Sequence, residues 1–183
     1  TGGKKDEEKK ANTVNVDETK SKREPEEKVK IKSEKFDNWF LECREINKRE
    51  KCELVQVLSI KDTNIKFKLL YNMFKNQDGK LKEVFNIVTP LGVNLIVNPA
   101  FRFDGGKQYN SRYIKCEVFG CIISITNNTN NEKTNKLSDE IVLNLKKSKE
   151  LEIVLQIFNS KTFAVKTSLK GFSKAQAELK KKL

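Results

Sequence analysis

Apolar and polar residues alternate along most of the chain beyond residue 38, and a period of two is typical of strands with one face on a core. In "NIKFKLLYNMF" (64–74) every second residue from Ile65 to Met73 is apolar. The Asp78-Gly79 pair that follows is a hairpin signal, because glycine adopts the positive φ that tight turns need. This part of the chain therefore predicts two antiparallel strands joined by a turn.

The same alternation, or a short apolar run between turn residues, predicts the remaining strands. The segment "REINKREK" (44–51) is polar and predicts a turn-like connection between the first two strands. Pro90 and Gly92 separate two further runs. The predicted strands beside "NIKFKLLYNMF" are "NWFLEC", "CELVQVLSI", "LKEVFNIVTP", "VNLIV", "FRF", "QYNSRYIKCE", "GCIISIT", "LEIVLQIF" and "FAVKTSLKGF".

Helical signals are confined to the last third of the chain. The polar run at 127–136 predicts a loop, and "LSDEIVLNLKKSKE" (137–150) predicts a short helix with Ser138 as its N-cap. A second helix, capped by Ser173, is predicted over the closing "SKAQAELKKKL". Many short strands with one inserted and one C-terminal helix indicate a mainly β fold, an antiparallel immunoglobulin-like β-sandwich.

Residues 1–35 differ in composition from the rest of the chain. They contain no aromatic residue, no Leu and a single Ile. Too little apolar surface is available to offset the entropy of ordering, so we expect 1–35 to be a disordered, charged tail or linker. One domain is expected over 36–183, which is an ordinary length for a single core.

The net charge of +12 lies almost entirely outside this tail, since residues 36–183 carry 26 basic and 16 acidic side chains. Such a surface favours acidic partners, namely nucleic acid, anionic lipid or a polyanionic cell-surface polymer, and it also keeps a protein in solution. No apolar run reaches the ~18 residues of a membrane span. Because the chain begins with Thr1 rather than Met, a signal or membrane anchor upstream is left open.

The four cysteines form two pairs, each of which brackets a predicted hairpin connection. Cys43 ends one strand and Cys52 begins the next, and Cys116 and Cys121 flank "EVFG" in the same way. Opposed residues in a hairpin lie within disulfide range, which favours two local disulfides and therefore an oxidising compartment. Free buried thiols remain an alternative. Zinc binding and redox chemistry remain as well, although the cysteine spacings suit neither and the chain has no His to complete a zinc site.

The sequence offers little for catalysis. Without His, nucleophiles activated by His and His-ligated metals are excluded. Asp104 lies in a turn-like "DGG", and Glu42, Glu53 and Glu117 occupy strand positions that suit a solvated face. No phosphate-binding glycine loop occurs, and we expect no cofactor or metal. "RYIKCEVFGCIISI" loosely resembles an aromatic RNA-binding strand but lacks the residue order of that motif.

Several weak motifs in order resemble the invasion-associated locus B (IalB) family of bacterial secreted or periplasmic proteins. They are "NWFLEC", "KCELVQVL", "VTPLGVNLIVNPAFRFDGG", "YIKCEVFGCIISI" and "VKTSLKGFSKAQAEL". The resemblance implies an exported, immunoglobulin-like β-sandwich with no known reaction, involved in host-cell invasion in some pathogens. The positions that match the family pattern, and that we interpret as structural, are Trp39, Cys43, Cys52, Pro90, Gly92, Gly105, Gly106, Cys116, Gly120, Cys121, Gly171 and Phe172.

These observations predict a non-catalytic, periplasmic or secreted module that binds an unidentified protein or an acidic envelope or host-surface polymer. Membrane association is expected only through an N-terminal anchor, and nucleic acid is not the favoured partner. Phe119 in "EVFG" is a candidate contact residue, although an aromatic beside Gly120 is expected to lie against the sheet. A cytoplasmic RNA-binding module is the alternative, and a hydrolase with paired carboxylates is the third hypothesis.

Overall fold

A computed structural model describes residues 30–61, 63–159 and 161–183, and this part of the chain forms eleven strands and two helices. The strands are β1 (Ile31–Phe36), β2 (Trp39–Ile46), β3 (Arg49–Ser59), β4 (Lys66–Lys75), β5 (Leu81–Thr89), β6 (Ala100–Phe103), β7 (Gln108–Asn110), β8 (Lys115–Glu117), β9 (Gly120–Thr126), β10 (Glu150–Gln156) and β11 (Thr162–Ser168). The helices are α1 (Glu132–Lys147) and α2 (Phe172–Lys180).

The strands form two antiparallel sheets. The larger has seven strands in the order β1-β2-β3-β4-β5-β9-β8, and the smaller has four in the order β11-β10-β6-β7. The predicted mainly β, antiparallel fold with an inserted and a C-terminal helix is confirmed. The immunoglobulin-like detail stays a prediction.

A shared apolar core joins the two sheets and both helices. In β4 the alternation read from the sequence is the observed burial pattern, with Phe67, Leu69, Tyr71 and Met73 all buried. Residues of both sheets, α1 and α2 belong to the same buried cluster. Period-two patterning therefore places one face of β2 and β4 in the core, whereas β3 and β5 each bury three consecutive residues and so use both faces there.

The domain begins earlier in the chain than its composition predicts. Strand β1 pairs with β2 from Ile31 to Phe36, so the last residues of the expected 1–35 tail belong to the sheet. Every residue of β1 before Phe36 is exposed, which explains why an apolar pattern could not detect this edge strand. The expected disorder of residues 1–29 falls outside the described part of the chain.

Helix α1 starts six residues before the predicted N-cap. Asn131 caps it, with its side-chain oxygen accepting a hydrogen bond from the Thr134 amide at 3.0 Å. Ser138 is buried inside the helix, where its hydroxyl donates to the carbonyls of Thr126 and Thr134. The prediction of a loop up to residue 136 was wrong because a polar first turn is compatible with a helix whose cap is Asn.

Helix α2 also has a different cap from the one predicted. Gly171, with φ of 93°, occupies the N-cap position, and Ser173 lies within the first turn. The Ser173 hydroxyl donates to the carbonyl of Lys146 at 3.0 Å, at the end of α1. Ser173 therefore joins the two helices rather than capping one.

Two connections also differ from the sequence prediction. Strands β2 and β3 continue to a two-residue turn at Asn47 and Lys48, both with positive φ, rather than ending at an eight-residue polar turn. The apolar run "VNLIV" (93–97) is not a strand, although Val93 forms one isolated bridge with Ile157. An apolar run alone does not distinguish a buried strand from an exposed loop.

Candidate binding surface

All four cysteines form the two predicted disulfides. Cys43 bonds to Cys52 and Cys116 bonds to Cys121, with Cα atoms 4.0 and 3.9 Å apart, and each pair is directly opposed across its hairpin. The first lies near the β2-β3 turn and the second at the β8-β9 turn. The two links therefore stabilise opposite ends of the seven-stranded sheet.

One group of possible metal ligands occurs among the described residues, formed by Cys43, Glu50 and Cys52. Both sulfur atoms of this group are already bonded to each other. A disulfide offers no thiolate, and thiolate is the form that binds zinc. The geometry of this group is therefore that of a covalent link.

Gly120 allows the β8-β9 hairpin to approach β5. Its φ is 144°, and a Cβ atom at this position would lie 2.2 Å from the Thr89 carbonyl oxygen. Cys121 pairs with Thr89, the last residue of β5, and its carbonyl accepts a hydrogen bond from the Thr89 hydroxyl at 3.1 Å. Only glycine fits here without moving the backbone.

The tip of this hairpin extends past the end of β5 into solvent. Val118 is 93% exposed and Phe119 is 60% exposed. The expectation that Phe119 lies against the sheet is therefore wrong. Glu117 and Gly120 still pair as strand residues, so the two tip side chains lie beyond Thr89, where β5 has already ended.

A second exposed loop follows β5 at the same end of the molecule. Pro90 starts it, and Gly92 adopts a φ of 89° in a turn where no atom lies within 4 Å of the place a Cβ would occupy. The Asn94 side chain accepts a hydrogen bond from the Ile96 amide at 3.1 Å. This turn directs Ile96 outward, where it is 93% exposed.

The β10-β11 turn is bonded to this loop. The Phe158 amide donates to the Gly92 carbonyl and the Asn94 amide to the Gln156 carbonyl, both at 2.7 Å. Phe158 is 87% exposed. We call residues 90–99, 111–119 and 157–159 the apical loops.

The "DGG" turn lies at the other end of β6 and has a structural role. Asp104, with φ of 48°, accepts hydrogen bonds through its carboxylate from the amides of Lys149 and Glu150. Gly105 has a φ of 68°, and the Gly106 amide donates to the Phe103 carbonyl at 2.8 Å. Asp104 thus ties the start of β10 to the end of β6.

The "LKGF" motif holds α2 on the sheet. A Cβ atom at Gly171 would lie 2.1 Å from the Phe36 carbonyl oxygen. Phe172 is buried, and its ring meets Trp39 and Tyr71 edge-on with centroids 5.0 Å apart in each case. Trp39 itself is 0% exposed. Trp39, Gly171 and Phe172 therefore lie at the contact between α2 and the larger sheet.

A pair of carboxylates does occur on the larger sheet. Glu42 and Glu53 oppose each other across β2 and β3, and Arg44 forms ion pairs with them at 3.2 and 3.8 Å. Burial raises the pKa of Glu53, and the Arg44 guanidinium opposes this effect. Because Arg44 pairs with both carboxylates, the three side chains form an ion-pair cluster at the surface of the sheet.

A groove of about 350 Å³ between α1 and the β7 edge was not predicted from the sequence. There the Tyr109 hydroxyl donates to Glu140 at 2.7 Å and accepts from Asn144 at 2.8 Å. Burial and the hydrogen bond to Glu140 raise the pKa of Tyr109 to about 12. Hydrogen bonds from Tyr109 and Lys107 lower the pKa of Glu140. No sequence signal links these residues, because they come from separate elements.

The fold and the covalent links define a two-sheet antiparallel domain stabilised by disulfides. The sequence model of the family described as "Invasion associated locus B (IalB) protein" matches residues 39–180. The chain belongs to this family.

One solved structure supports the same fold: the invasion associated protein b from Bartonella henselae. It has a TM-score of 0.62 and 19% sequence identity, and the match covers 81% of this chain and 96% of that one. A comparison with curated proteins gives no match. In the part of the chain that the structure describes, neither helix combines the length and apolar character needed to cross a bilayer.

Proposed function

We propose that this protein is an exported module of the bacterial periplasm or cell exterior that acts by binding rather than by catalysis. The observation that carries the proposal is the use of all four cysteines in disulfides. Disulfides persist in oxidising compartments and are rare in the cytosol, where thiols are kept reduced. Membership of the IalB family supports the same location.

Binding is proposed over catalysis because of the side chains available. The chain contains no His, and the opposed carboxylates of Glu42 and Glu53 both form ion pairs with Arg44. The exposed apical loops are instead typical of an interaction surface. The names of the family and of the Bartonella henselae protein favour a finer hypothesis, a role in host-cell invasion.

Export can be tested with the complete gene of the source bacterium, fused at its 3′ end to alkaline phosphatase, which is active only where disulfides form. We expect active phosphatase, and native protein in the periplasmic or culture fraction. A cytoplasmic enzyme detected in the same fractions is the control for lysis. An inactive fusion, together with native protein in the cytoplasmic fraction, would contradict the proposal.

A further inference from the structure

The apical loops expose an apolar surface that the core of the domain does not use. Half of the large apolar residues that are exposed in the described part of the chain lie in these three short segments. A soluble domain rarely gathers so many in one place without a binding role. They are Leu91, Leu95, Ile96, Val97, Ile114, Val118, Phe119 and Phe158.

Hydrogen bonds and strand pairing hold these segments together at one end of the molecule. The Ser111 amide donates to the Pro99 carbonyl at 3.0 Å, which joins the segment before β8 to the loop after β5. The Ile114 amide donates to the Ile122 carbonyl at 2.8 Å. With the bond from Phe158 to Gly92, these backbone hydrogen bonds bring the three segments to one end of the molecule, where each presents an exposed apolar tip. Backbone bonds of this kind reduce the ordering that each segment needs when it meets a partner.

The apical loops also carry basic side chains. Arg112, Lys115 and Lys161 lie in or next to the apical loops, and Glu117 is the single acidic residue of the same segments. Glu117 already forms an ion pair with Lys115 at 2.8 Å. The surface therefore combines apolar tips with an excess of positive charge, and it is complementary to an anionic layer with an apolar interior.

We propose that the apical loops are a docking surface for an anionic phospholipid bilayer. Val118, Ile96 and Phe158 enter the interfacial region, and Arg112 and Lys161 contact lipid phosphates. A fluid bilayer surrounds each separate tip, whereas a protein partner needs a rigid surface that matches all of them. Lipid is therefore the occupant that best suits three highly exposed tips.

This inference does not depend on export, since anionic bilayers border more than one compartment. The sequence alone predicted membrane association only by way of an N-terminal anchor, whereas here the folded domain itself binds the bilayer. Lipid binding can be measured on the purified oxidised chain, so a negative result would leave the export proposal untouched. Conversely, a cytoplasmic location would leave the lipid measurement intact.

The first test is flotation of the purified chain with vesicles of phosphatidylcholine alone or mixed with phosphatidylglycerol. We expect binding to the anionic vesicles that weakens as salt increases. The double variant Val118→Ser and Phe158→Ser should reduce the partition coefficient by about tenfold or more, because each tip loses its apolar burial. Ile46→Ser is the matched control, since Ile46 is exposed at the opposite end and its replacement should leave binding unchanged.

The basic residues give a second comparison. Arg112→Gln and Lys161→Gln should each weaken binding to anionic vesicles by about fivefold, and they should reduce its salt dependence. Circular dichroism and thermal unfolding of each variant check that the domain stays folded. These exposed positions do not contribute to the buried core, so we expect unchanged unfolding curves.

A fluorescence experiment reports insertion directly, because Trp39 is the single tryptophan of the chain and is buried. In the Phe158→Trp variant, the fluorescence of the introduced tryptophan should shift to shorter wavelength with anionic vesicles and should be quenched by brominated lipid. In the Ile46→Trp variant, the fluorescence of the introduced tryptophan should not change. The proposal fails if the chain does not bind anionic vesicles at low salt, or if the double serine variant binds them as tightly as the wild type. It also fails if light scattering shows a dimer that the double serine variant converts to a monomer, because a second copy of the chain would then cover the apical loops.

Discussion

At the scale of single residues, glycines in the sequence motifs allow two backbone segments to approach each other closely, because glycine has no side chain. Gly120 and Gly171 both have positive φ and both face a backbone carbonyl at a distance that no Cβ could occupy. Gly79 also has a positive φ, of 73°, but nothing lies within 4 Å of where its Cβ would be. Substitution at Gly79 therefore tests the cost of a positive φ alone, whereas substitution at Gly120 or Gly171 adds a steric overlap.

Gly120→Ala is expected to reduce the free energy of unfolding by about 3 kcal/mol or more, because it combines an unfavourable φ with a clash against Thr89. Gly79→Ala has the φ cost alone, about 1 kcal/mol. Urea denaturation of both variants measures the difference. Equal losses would show that the hairpin does not need its close approach to β5.

A second prediction concerns Glu152, which pairs with Arg102 across β6 and β10. The Arg102 hydrogen bond lowers the pKa of Glu152. A lowered folded pKa contributes stability above the unfolded value of about 4.3, and this stability is lost as the pH falls through the folded value. The stability difference between the wild type and Glu152→Gln should thus be full near neutral pH and disappear in acid.

The control for this titration is Glu132→Gln, at an exposed i,i+4 pair with Lys136 on α1. It should change stability little at any pH, because an exposed pair of this kind is screened by solvent. Urea unfolding at several pH values compares the two variants. A pH-independent effect of Glu152→Gln would contradict the assigned pairing.

At the scale of elements, periodicity predicted the interior strands and failed where exposure controls the outcome. The β4 alternation corresponds directly to the observed burial. The exposed strand β1, and the loop at 93–97 in which only Val93 is buried, could not be recognised from apolar content. The cysteine pairing followed from local hairpin geometry. The groove beside Tyr109, and the hydrogen bond of Tyr109 to Glu140, could not be predicted, because these residues meet only through tertiary packing.

The two disulfides provide an element-scale prediction. They enclose sequence separations of 9 and 5 residues, so replacing either pair by Ala should lower the free energy of unfolding by about 2 to 3 kcal/mol. The losses should add within about 0.5 kcal/mol, because the links lie at opposite ends of the sheet. Denaturant unfolding of the two double variants and the quadruple variant measures this. A strongly non-additive result would show that the two hairpins are coupled.

Strand β1 defines where the domain begins and can be tested by truncation. Removing residues 1–29 should leave stability nearly unchanged, because their composition offers few apolar side chains. Removing 1–36 should cost about 1 to 3 kcal/mol, because it also deletes the ladder with β2 and the Phe36 backbone that Gly171 contacts. Equal melting temperatures for the two truncations would show that β1 adds nothing to the fold.

At the scale of the whole molecule, the disulfides and the apical loops are related. The Cys116–Cys121 link closes the hairpin whose tip carries Val118 and Phe119, so oxidation helps to fix part of the exposed apolar surface. The Cys43–Cys52 link lies near the far end of the same sheet, away from that surface. An oxidising environment is therefore the condition under which the complete domain is expected to act.

The most direct test of this account is the thiol state of the native protein in its own cells. Cells are treated with N-ethylmaleimide before lysis, and the protein is isolated without reductant for intact mass and peptide mapping. We predict no maleimide on any cysteine and cross-linked peptides that join Cys43 to Cys52 and Cys116 to Cys121. Maleimide on all four cysteines would contradict both the oxidised domain and the proposed export.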